Sequence, residues 1–288
     1  MIAVWRASLN DRALVLYHGQ CRDGQCAAWV AKRAMPKAEL VPVQYGGCPP
    51  YDLVRGRGVY VIDFSWGRAE MKSLILYSRS TVVLDHHKTA EAELAGLLEE
   101  LQQIDQRQPG DAIVFDMGRS GAGIAWDYFH PTEPRPWVVN YVEDRDLWRF
   151  ALPSSQEING YLATKGYTPE ALDSLPDIDS AKVLGTGALA AVRSYADAVC
   201  AHAFPITVGQ SVVPSVTACQ YRISEVLEQL MDLQPDAPFV VGWWRRADGL
   251  FQYSLRSRGE FDVSAVAMGY GGGGHRNAAG FQQKVLIA

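Results

Sequence analysis

The chain has 288 residues, of which 48% are hydrophobic and 20% are charged, and it contains 8 tryptophans, 13 tyrosines and 9 phenylalanines. This balance is typical of a globular protein and excludes an intrinsically disordered chain, and the length predicts about two domains. The 27 lysines and arginines against 32 aspartates and glutamates give a net charge of −5. That charge argues against a protein that coats long nucleic acid through a bulk positive field, but it leaves room for a nucleotide substrate.

The cysteines and the N-terminus indicate a cellular compartment. The five cysteines are odd in number and scattered without a C-x-x-C pair, so we expect neither a disulfide framework nor a zinc ribbon, which fits a reducing compartment. Arg6, Asp11 and Arg12 interrupt any signal-like apolar core, and no stretch approaches the ~18 apolar residues of a membrane span. We therefore expect a cytoplasmic protein with no membrane partner.

The first 150 residues alternate between short apolar runs and helix-like segments, a pattern that predicts an α/β domain with a parallel sheet. Three runs are each followed at once by a polar residue. These are residues 14–17 before His18, residues 59–62 before Asp63 and residues 81–84 before Asp85. Because binding crevices in open α/β sheets lie outside the carboxyl ends of the strands, we expect these polar residues to converge.

Helical patterns link these strands and lead into the second half of the chain. They cover residues 23–35, 68–77 and 91–104, a segment that starts at Ser120, and a connector at residues 181–203. We place the domain boundary near residue 200, which gives a first domain at residues 1–199 and a second at residues 200–288.

The second domain is predicted to be a smaller α/β domain. Residues 223–231 carry one apolar stripe at helical spacing. Residues 239–244 and 250–256 flank an Ala-Asp-Gly turn and predict a β-hairpin. A run of four glycines follows at residues 271–274, and a flexible turn is the ordinary interpretation of such a run on its own.

Seven residues carry the candidate chemistry of the first domain: His18, Asp23, Asp63, Asp85, His86, His87 and Asp144. A mixture of carboxylates and imidazoles without a thiolate cluster suits a divalent metal of intermediate hardness such as Mn²⁺, with Mg²⁺ or Co²⁺ as substitutes. Two such ions can support an in-line phosphoryl displacement and activate water. Taken singly, an aspartate such as Asp63 or Asp85 after a strand is more often a helix N-cap, and a histidine such as His18 is more often a hydrogen-bonded loop residue.

Four motifs in order resemble those of one known family. LDHH at residues 84–87 is similar to the signature of the DHH phosphoesterase superfamily, and VIDFS at 61–65 and HGQCRDG at 18–24 resemble its other N-terminal motifs. GGGGHRNAAGF at 271–281 looks like the motif of the DHH-associated C-terminal domain. The architecture is most similar to the branch of nanoRNases and oligoribonucleases. The resemblance implies an active site in the cleft between the two domains.

The resemblance also implies roles for individual residues of the metal site. Asp63 matches the carboxylate that bridges two Mn²⁺ ions. Asp23 and His86 match ligands of one ion, and His18 matches a ligand of the other.

The resemblance implies one more aspartate ligand, from a further motif of the N-terminal domain, for which we take Asp144, with Asp146 as its rival. His87 is then expected to face the substrate or the leaving oxygen, and Asp85 to orient an imidazole. The family usually has Asp-x-Asp in its first motif, whereas this chain has Cys21 at the first of these positions. A thiolate binds Mn²⁺ poorly, so one expectation is that the first of the two metals binds more weakly and relies on His18, Asp63 and water. The alternative is that Cys21 favours a softer ion such as Zn²⁺ or Fe²⁺ at that position.

Substrate binding is expected in the second domain. Glycines leave backbone N–H groups open to a close approach by an anion, and an arginine fork suits bidentate phosphate recognition. In the family that the chain resembles, the corresponding segments bind the phosphate or the terminal nucleotide. The resemblance therefore implies that the substrate-binding residues are Arg256, Ser257, Gly272, Gly273, Gly274, His275 and Arg276.

These features predict a phosphodiesterase that hydrolyses short RNA or DNA oligonucleotides to nucleoside 5′-monophosphates. Cyclic nucleotides, linear dinucleotides and 3′-phosphoadenosine 5′-phosphate are alternative substrates for the same metals. A nucleotide sensor that has lost turnover through the change at Cys21 is the alternative outside the enzyme class. The oligomeric state stays open, with a homodimer as one option.

Overall fold

The computed structural model describes residues 13–287 except 219 and 221, so the expectation drawn from Arg6, Asp11 and Arg12 lies outside the described residues. The chain divides into two compact units, the first ending at Thr186 and the second beginning at Gly187. This division falls inside a long helix, Ile178–Cys200, and therefore earlier in the chain than the expected boundary near residue 200.

The first unit is built on a five-stranded parallel sheet, which confirms the predicted α/β class. Its strands, in the spatial order β2-β1-β3-β4-β5, are β1 (Leu14–His18), β2 (Glu39–Val43), β3 (Gly58–Ile62), β4 (Ser80–Asp85) and β5 (Ala112–Phe115). The three strands expected from apolar runs occupy the centre. The two edge strands carry a weaker sequence signal because most of their residues are exposed or only partly buried, and β2 also contains Pro42.

Helices connect the strands and complete the unit. They are α1 (Arg22–Ala34), α2 (Tyr51–Val54), α3 (Arg68–Tyr77), α4 (Lys88–Leu94), α5 (Leu97–Gln103), α6 (Gly121–Phe129), α7 (Trp137–Asp146), α8 (Ser155–Lys165), α9 (Pro169–Asp173) and α10 (Ile178–Cys200). The single helix expected at 91–104 is instead α4 and α5. Gly96 separates them in a left-handed conformation with φ of +74°, which glycine adopts at little steric cost.

The central strands are buried on both faces. Along β3, Val59 and Val61 pack into one apolar cluster, while Tyr60 and Ile62 pack into the cluster on the opposite face. All five residues of β3 are buried, as expected for a strand covered by helices on both sides. The carboxyl ends of these strands are therefore held by a close-packed core.

The second unit contains a six-stranded mixed sheet in the order β10-β11-β9-β8-β7-β6. Its elements are β6 (Phe204–Val208), β7 (Ser211–Thr217), α11 (Ile223–Leu233), β8 (Phe239–Arg245), β9 (Phe251–Ser257), α12 (Val263–Met268), β10 (Gly273–His275) and β11 (Ala278–Gln283). The pair β7–β8 is parallel and the other pairs are antiparallel. The expected hairpin is β8–β9, and the expected striped helix is α11. Among the described residues, no helix is long and apolar enough to cross a membrane.

Candidate metal centre

Three neighbouring strands bring the expected site residues to one edge of the first sheet. His18 ends β1, Asp63 directly follows β3, and Asp85 ends β4. The strand register aligns Tyr17 with Ile62 and Ile62 with Leu84. Residues far apart in the sequence therefore meet at the carboxyl edge, as the parallel topology predicts.

Asp63 lies at the centre of this edge. Its Oδ1 is 3.1 Å from His86 Nε2, and its Oδ2 is 3.7 Å from His18 Nδ1. The residue is 1% exposed and has a φ of 55°, a left-handed conformation that is unfavourable for a residue with a side chain. Its backbone N–H donates to the carbonyl of Leu84 at 2.9 Å. The sheet therefore holds a strained backbone that directs the two carboxylate oxygens toward different histidines.

One group of potential metal ligands consists of Asp23, His86 and Asp146. His86 Nε2 is 3.6 Å from Asp23 Oδ2 and 3.6 Å from Asp146 Oδ2. The Asp23 carboxylate also accepts the backbone N–H groups of Gly121 at 2.5 Å and Ala122 at 2.9 Å, at the start of α6. This helix N-terminus fixes the orientation of the carboxylate and favours its negative charge.

Asp144 and its rival Asp146, the two candidates for the further aspartate ligand, make different contacts in the structure. The Asp144 carboxylate accepts the backbone N–H groups of Ala151 at 2.9 Å and Leu152 at 3.2 Å. It therefore holds the turn that follows α7. Asp146, its rival, places its carboxylate beside His86 instead.

A second group consists of His18, Cys21 and Asp63. Cys21 directly precedes α1, so the thiol occupies the place where the resemblance expects a carboxylate. Burial, together with the charges of Asp63, Asp146 and Asp23, raises the pKa of the Cys21 thiol well above its usual value. Without a cation beside it, this group is a neutral thiol.

Asp85 and His87 form a hydrogen-bonded pair next to these groups. Asp85 Oδ1 lies 2.6 Å from His87 Nδ1 and accepts the backbone N–H of His86 at 2.7 Å, while Asp85 Oδ2 accepts the hydroxyl of Ser65 at 2.7 Å. Burial alone lowers the pKa of His87, but the Asp85 charge outweighs it and the net shift is upward. The expected orienting role of Asp85 thus has a partner in His87. Ser65, which lies within the VIDFS motif, supports Asp85 and was not among the expected residues.

The pKa shifts and the unpaired polar atoms of the two ligand groups favour the binding of cations. Burial and the charges of neighbouring aspartates raise the pKa of Asp23 well above its usual value, and burial also raises that of Asp146. Burial opposes protonation of His86, yet contacts with Asp63, Asp146 and Asp23 raise its pKa to about 10. Within the part of the chain that the structure describes, Asp63 Oδ2, Asp146 Oδ2 and His18 Nδ1 are buried without a hydrogen-bond partner. Such atoms cost free energy unless a ligand satisfies them, and carboxylate and imidazole donors fit a divalent metal ion.

Two glycines that sequence reasoning did not single out allow the close packing of the site. A Cβ on Gly121 would lie 2.5 Å from Asp63 Cβ and 2.9 Å from Asp23 Oδ2, and one on Gly24 would lie 3.0 Å from Asp63 Oδ2. The Ser120 side chain accepts the N–H of Gly123 as the N-cap of α6. A serine followed by Gly-Ala-Gly after a strand is the sequence signal that points to such a close helix start.

In the second unit, three of the expected substrate-binding residues, Arg256, Ser257 and Arg276, form hydrogen bonds with other residues of that unit. Arg256 donates to Ser224 Oγ at 2.9 Å and to the carbonyl of Leu255 at 2.8 Å, and Arg276 donates to Glu260 at 2.5 Å. The Ser257 hydroxyl donates to the carbonyl of Phe261 at 2.7 Å and accepts from Asn277 at 3.0 Å. Ser257 therefore stabilises the turn after β9.

The glycine run forms part of the second sheet. Gly273, Gly274 and His275 make up β10, which pairs with β11 at the edge of the sheet. A Cβ on Gly272 would lie 2.1 Å from the carbonyl oxygen of Gly280, and one on Gly274 would lie 2.6 Å from that of Ala278. Packing against β11 thus requires glycine at both positions.

Comparison with solved structures identifies the fold. The DHH domain of a protein described as a member of the s1p family of ribosomal proteins matches with a TM-score of 0.58 and 13% identity, over 97% of this chain and 84% of that one. The chain has a DHH-type fold. RecJ from Thermus thermophilus, in complex with Mn²⁺, matches with a TM-score of 0.53 and 14% identity, over 97% of this chain and 51% of that one. An exopolyphosphatase-related protein from Bacteroides fragilis matches with a TM-score of 0.52 and 11% identity, over 99% of this chain and 90% of that one.

Comparison of amino-acid sequences finds one curated protein that is similar to this chain. No protein-family model matches the chain. The uncharacterized protein R106 of Acanthamoeba polyphaga mimivirus is 27% identical over 291 residues, which cover 93% of this chain and 66% of the viral protein. The chain thus spans just under two thirds of the length of this curated relative.

Proposed function

We propose that the chain is a metal-dependent phosphoesterase that hydrolyses phosphodiester bonds in short oligonucleotides and releases nucleoside 5′-monophosphates. The observation that carries this proposal is the position of Asp63, whose two oxygens face two different ligand groups. The shared fold supports it, because one solved protein with this fold is the exonuclease RecJ bound to manganese, with a TM-score of 0.51.

We assign the two ligand groups to two divalent cations. Asp23, His86 and Asp146 would hold one, His18 and Cys21 would hold the other, and Asp63 would contact both. Mn²⁺ is the ion we favour, with Mg²⁺ or Co²⁺ as substitutes. When bound, such ions polarise phosphoryl oxygens and lower the pKa of water.

His87 is the residue to which we assign proton donation to the leaving oxygen. Its Nδ1 is held by Asp85 at 2.6 Å, which fixes the plane of the ring and stabilises its positive charge. The Asp85 charge raises the pKa of His87, which favours the protonated form that a general acid requires. Ser65 and the backbone N–H of His86 hold Asp85 in turn.

The second unit would bind the phosphate or the terminal nucleotide of the substrate. We assign this role to the glycine run Gly272, Gly273 and Gly274, with His275, Arg256 and Arg276 beside it. The backbone N–H of Gly272 already donates to the carbonyl of Ala267 at 2.9 Å, so the N–H donors would come from Gly273 and Gly274. Ser257 would act by fixing the turn. The net charge of −5 supports a short substrate, since a protein that neutralises many phosphates needs a long basic track.

Product analysis tests the proposal directly. Purified protein is incubated with Mn²⁺, or with EDTA, and with end-labelled RNAs from two to about 25 nucleotides long. We expect release of mononucleotides from the shortest RNAs with Mn²⁺ and none with EDTA. Turnover that is equal in EDTA contradicts the proposal, and nucleotide binding without turnover supports a sensor.

A matched pair of variants ties the activity to the site. Asp63→Asn removes the central carboxylate, and we expect it to abolish hydrolysis. Asp111→Asn makes the same change at a buried aspartate near the opposite end of β4, where the carboxylate accepts the N–H of Thr81 at 2.7 Å. We expect that variant to retain hydrolysis.

A further inference from the structure

Tyr45 places an exposed aromatic ring at the candidate metal centre. Its ring centroid lies 5.2 Å from that of His18 and 6.3 Å from that of His87, in edge-on arrangements at 77° and 78°. Tyr45 is nevertheless 48% exposed. Tyr45 thus lies beside two partly buried histidines and leaves about half of its own surface open. The proposed chemistry does not use this ring.

The ring is held in place by a tight turn and a buried support. The N–H of Gly47 donates to the carbonyl of Gln44 at 3.2 Å, and Gly46 has a φ of +87°, which is the pattern of a type II turn with Tyr45 at its second position. The indole N–H of Trp66 donates to the carbonyl of Gly47 at 2.7 Å. The position of the turn is therefore fixed by a side chain from outside it.

Aromatic packing completes this support. The rings of Tyr45 and Phe64 are 4.6 Å apart, and those of Phe64 and Trp66 are 4.7 Å apart. Phe64 is fully buried and Trp66 is 8% exposed. One side of the Tyr45 ring is thus packed against buried aromatic side chains. Little side-chain entropy therefore remains to be lost when a ligand covers the other side.

We propose that the exposed part of the Tyr45 ring stacks on a nucleobase next to the phosphate held at the metal centre. The inference rests on the proposed function and narrows its substrates to phosphoesters that carry a base, in preference to phosphate or sugar phosphate chains. Stacking of a base on an aromatic side chain is favourable and tolerates any base, because every base has a π-face.

A binding comparison tests this inference separately from turnover. Affinities of adenosine 5′-monophosphate and of ribose 5-phosphate, which lacks the base, are measured by calorimetry with Mn²⁺ present. We expect the full chain to bind the nucleotide about fivefold to tenfold more tightly, near the lower end for stacking on one face. Tyr45→Ala should remove this preference, whereas Tyr45→Phe should keep it within about twofold because the ring remains.

The matched control is Tyr77→Ala. Tyr77 ends α3, is 44% exposed, and contacts Tyr51 and Arg55. We expect this variant to keep the wild-type preference. The inference is overturned if the wild type binds both ligands equally or binds neither, if Tyr45→Ala keeps the preference, or if Tyr45→Phe loses it. A chain that shows the preference but hydrolyses no phosphodiester would refute the proposed function and leave this inference standing.

Discussion

Gly121→Ala is the substitution that most directly tests how α6 sets the metal ligands. The new Cβ would lie 2.5 Å from Asp63 Cβ, 3.0 Å from Asp63 Cγ and 2.9 Å from Asp23 Oδ2. Carbon atoms in van der Waals contact are about 3.5–4.0 Å apart, so the helix and Asp63 must separate by about 1 Å. The backbone N–H groups that orient Asp23 would move with the helix.

The expected losses follow from this displacement. A misplacement of 1 Å in an active site costs about 100-fold in rate, and we expect kcat/KM for a dinucleotide to fall by about this factor. We also expect weaker Mn²⁺ binding, because Asp23 and Asp63 belong to the two ligand groups. Overpacking lowers stability by about 1–3 kcal/mol, offset by up to about 1 kcal/mol from the helix propensity of alanine.

Mn²⁺ titration calorimetry, urea unfolding in EDTA and dinucleotide hydrolysis measure these three effects. Gly187→Ala is the matched control, since Gly187 lies in α10 with nothing within 4 Å of an added Cβ. That variant should be stabilised by about 0.5–1 kcal/mol and keep its Mn²⁺ affinity. A folded Gly121→Ala variant with wild-type Mn²⁺ affinity and turnover would refute the proposed link between the close helix start and the ligands.

Three further predictions concern the ligands themselves. Asp146→Asn should lower Mn²⁺ affinity at least about tenfold. Asp144→Ala should leave that affinity near wild type and lower the free energy of unfolding by about 1–3 kcal/mol, because two backbone N–H groups lose their acceptor. Metal titration and urea unfolding of both variants check this. Cys21→Asp should raise the Mn²⁺ stoichiometry and weaken Zn²⁺ binding, since a carboxylate is the harder ligand; equal binding of both ions by variant and wild type would contradict it. Mn²⁺ affinity should rise with pH between 6 and 8 by about tenfold per unit, because His86, whose pKa is raised to about 10, must lose its proton to bind metal; an affinity that is flat with pH would show that no proton is displaced.

Several features of the fold could be predicted from local patterns alone. Residues 59–62 form a fully buried strand and residues 68–77 form the predicted helix α3, because apolar runs and helical periodicity are properties of the sequence itself. Edge strands carry a weaker signal. Residues 39–43 are only partly buried, so their hydrophobic pattern does not distinguish a strand from a loop.

The choice between Asp144 and Asp146 could not be made from the local sequence. Residues two apart on a helix point about 160° away from each other, so one carboxylate of α7 can face the metal centre while the other faces away from it. The sequence shows the two aspartates but not which face of α7 meets His86. That orientation depends on the packing of α7 in the folded unit.

Three features could be read from the amino-acid sequence: the parallel α/β domain, the polar residues at the ends of β1, β3 and β4, and the motifs that resemble the DHH family. Each of these depends on residue type and on spacing along the chain. Three contacts became visible in the folded chain alone: Asp146 lies beside His86, the start of α6 holds Asp23, and Tyr45 packs on Phe64 beside His18 and His87. These contacts join residues that are distant in sequence or lie on different helix faces, and their geometry is fixed by how the helices and turns pack around the sheet.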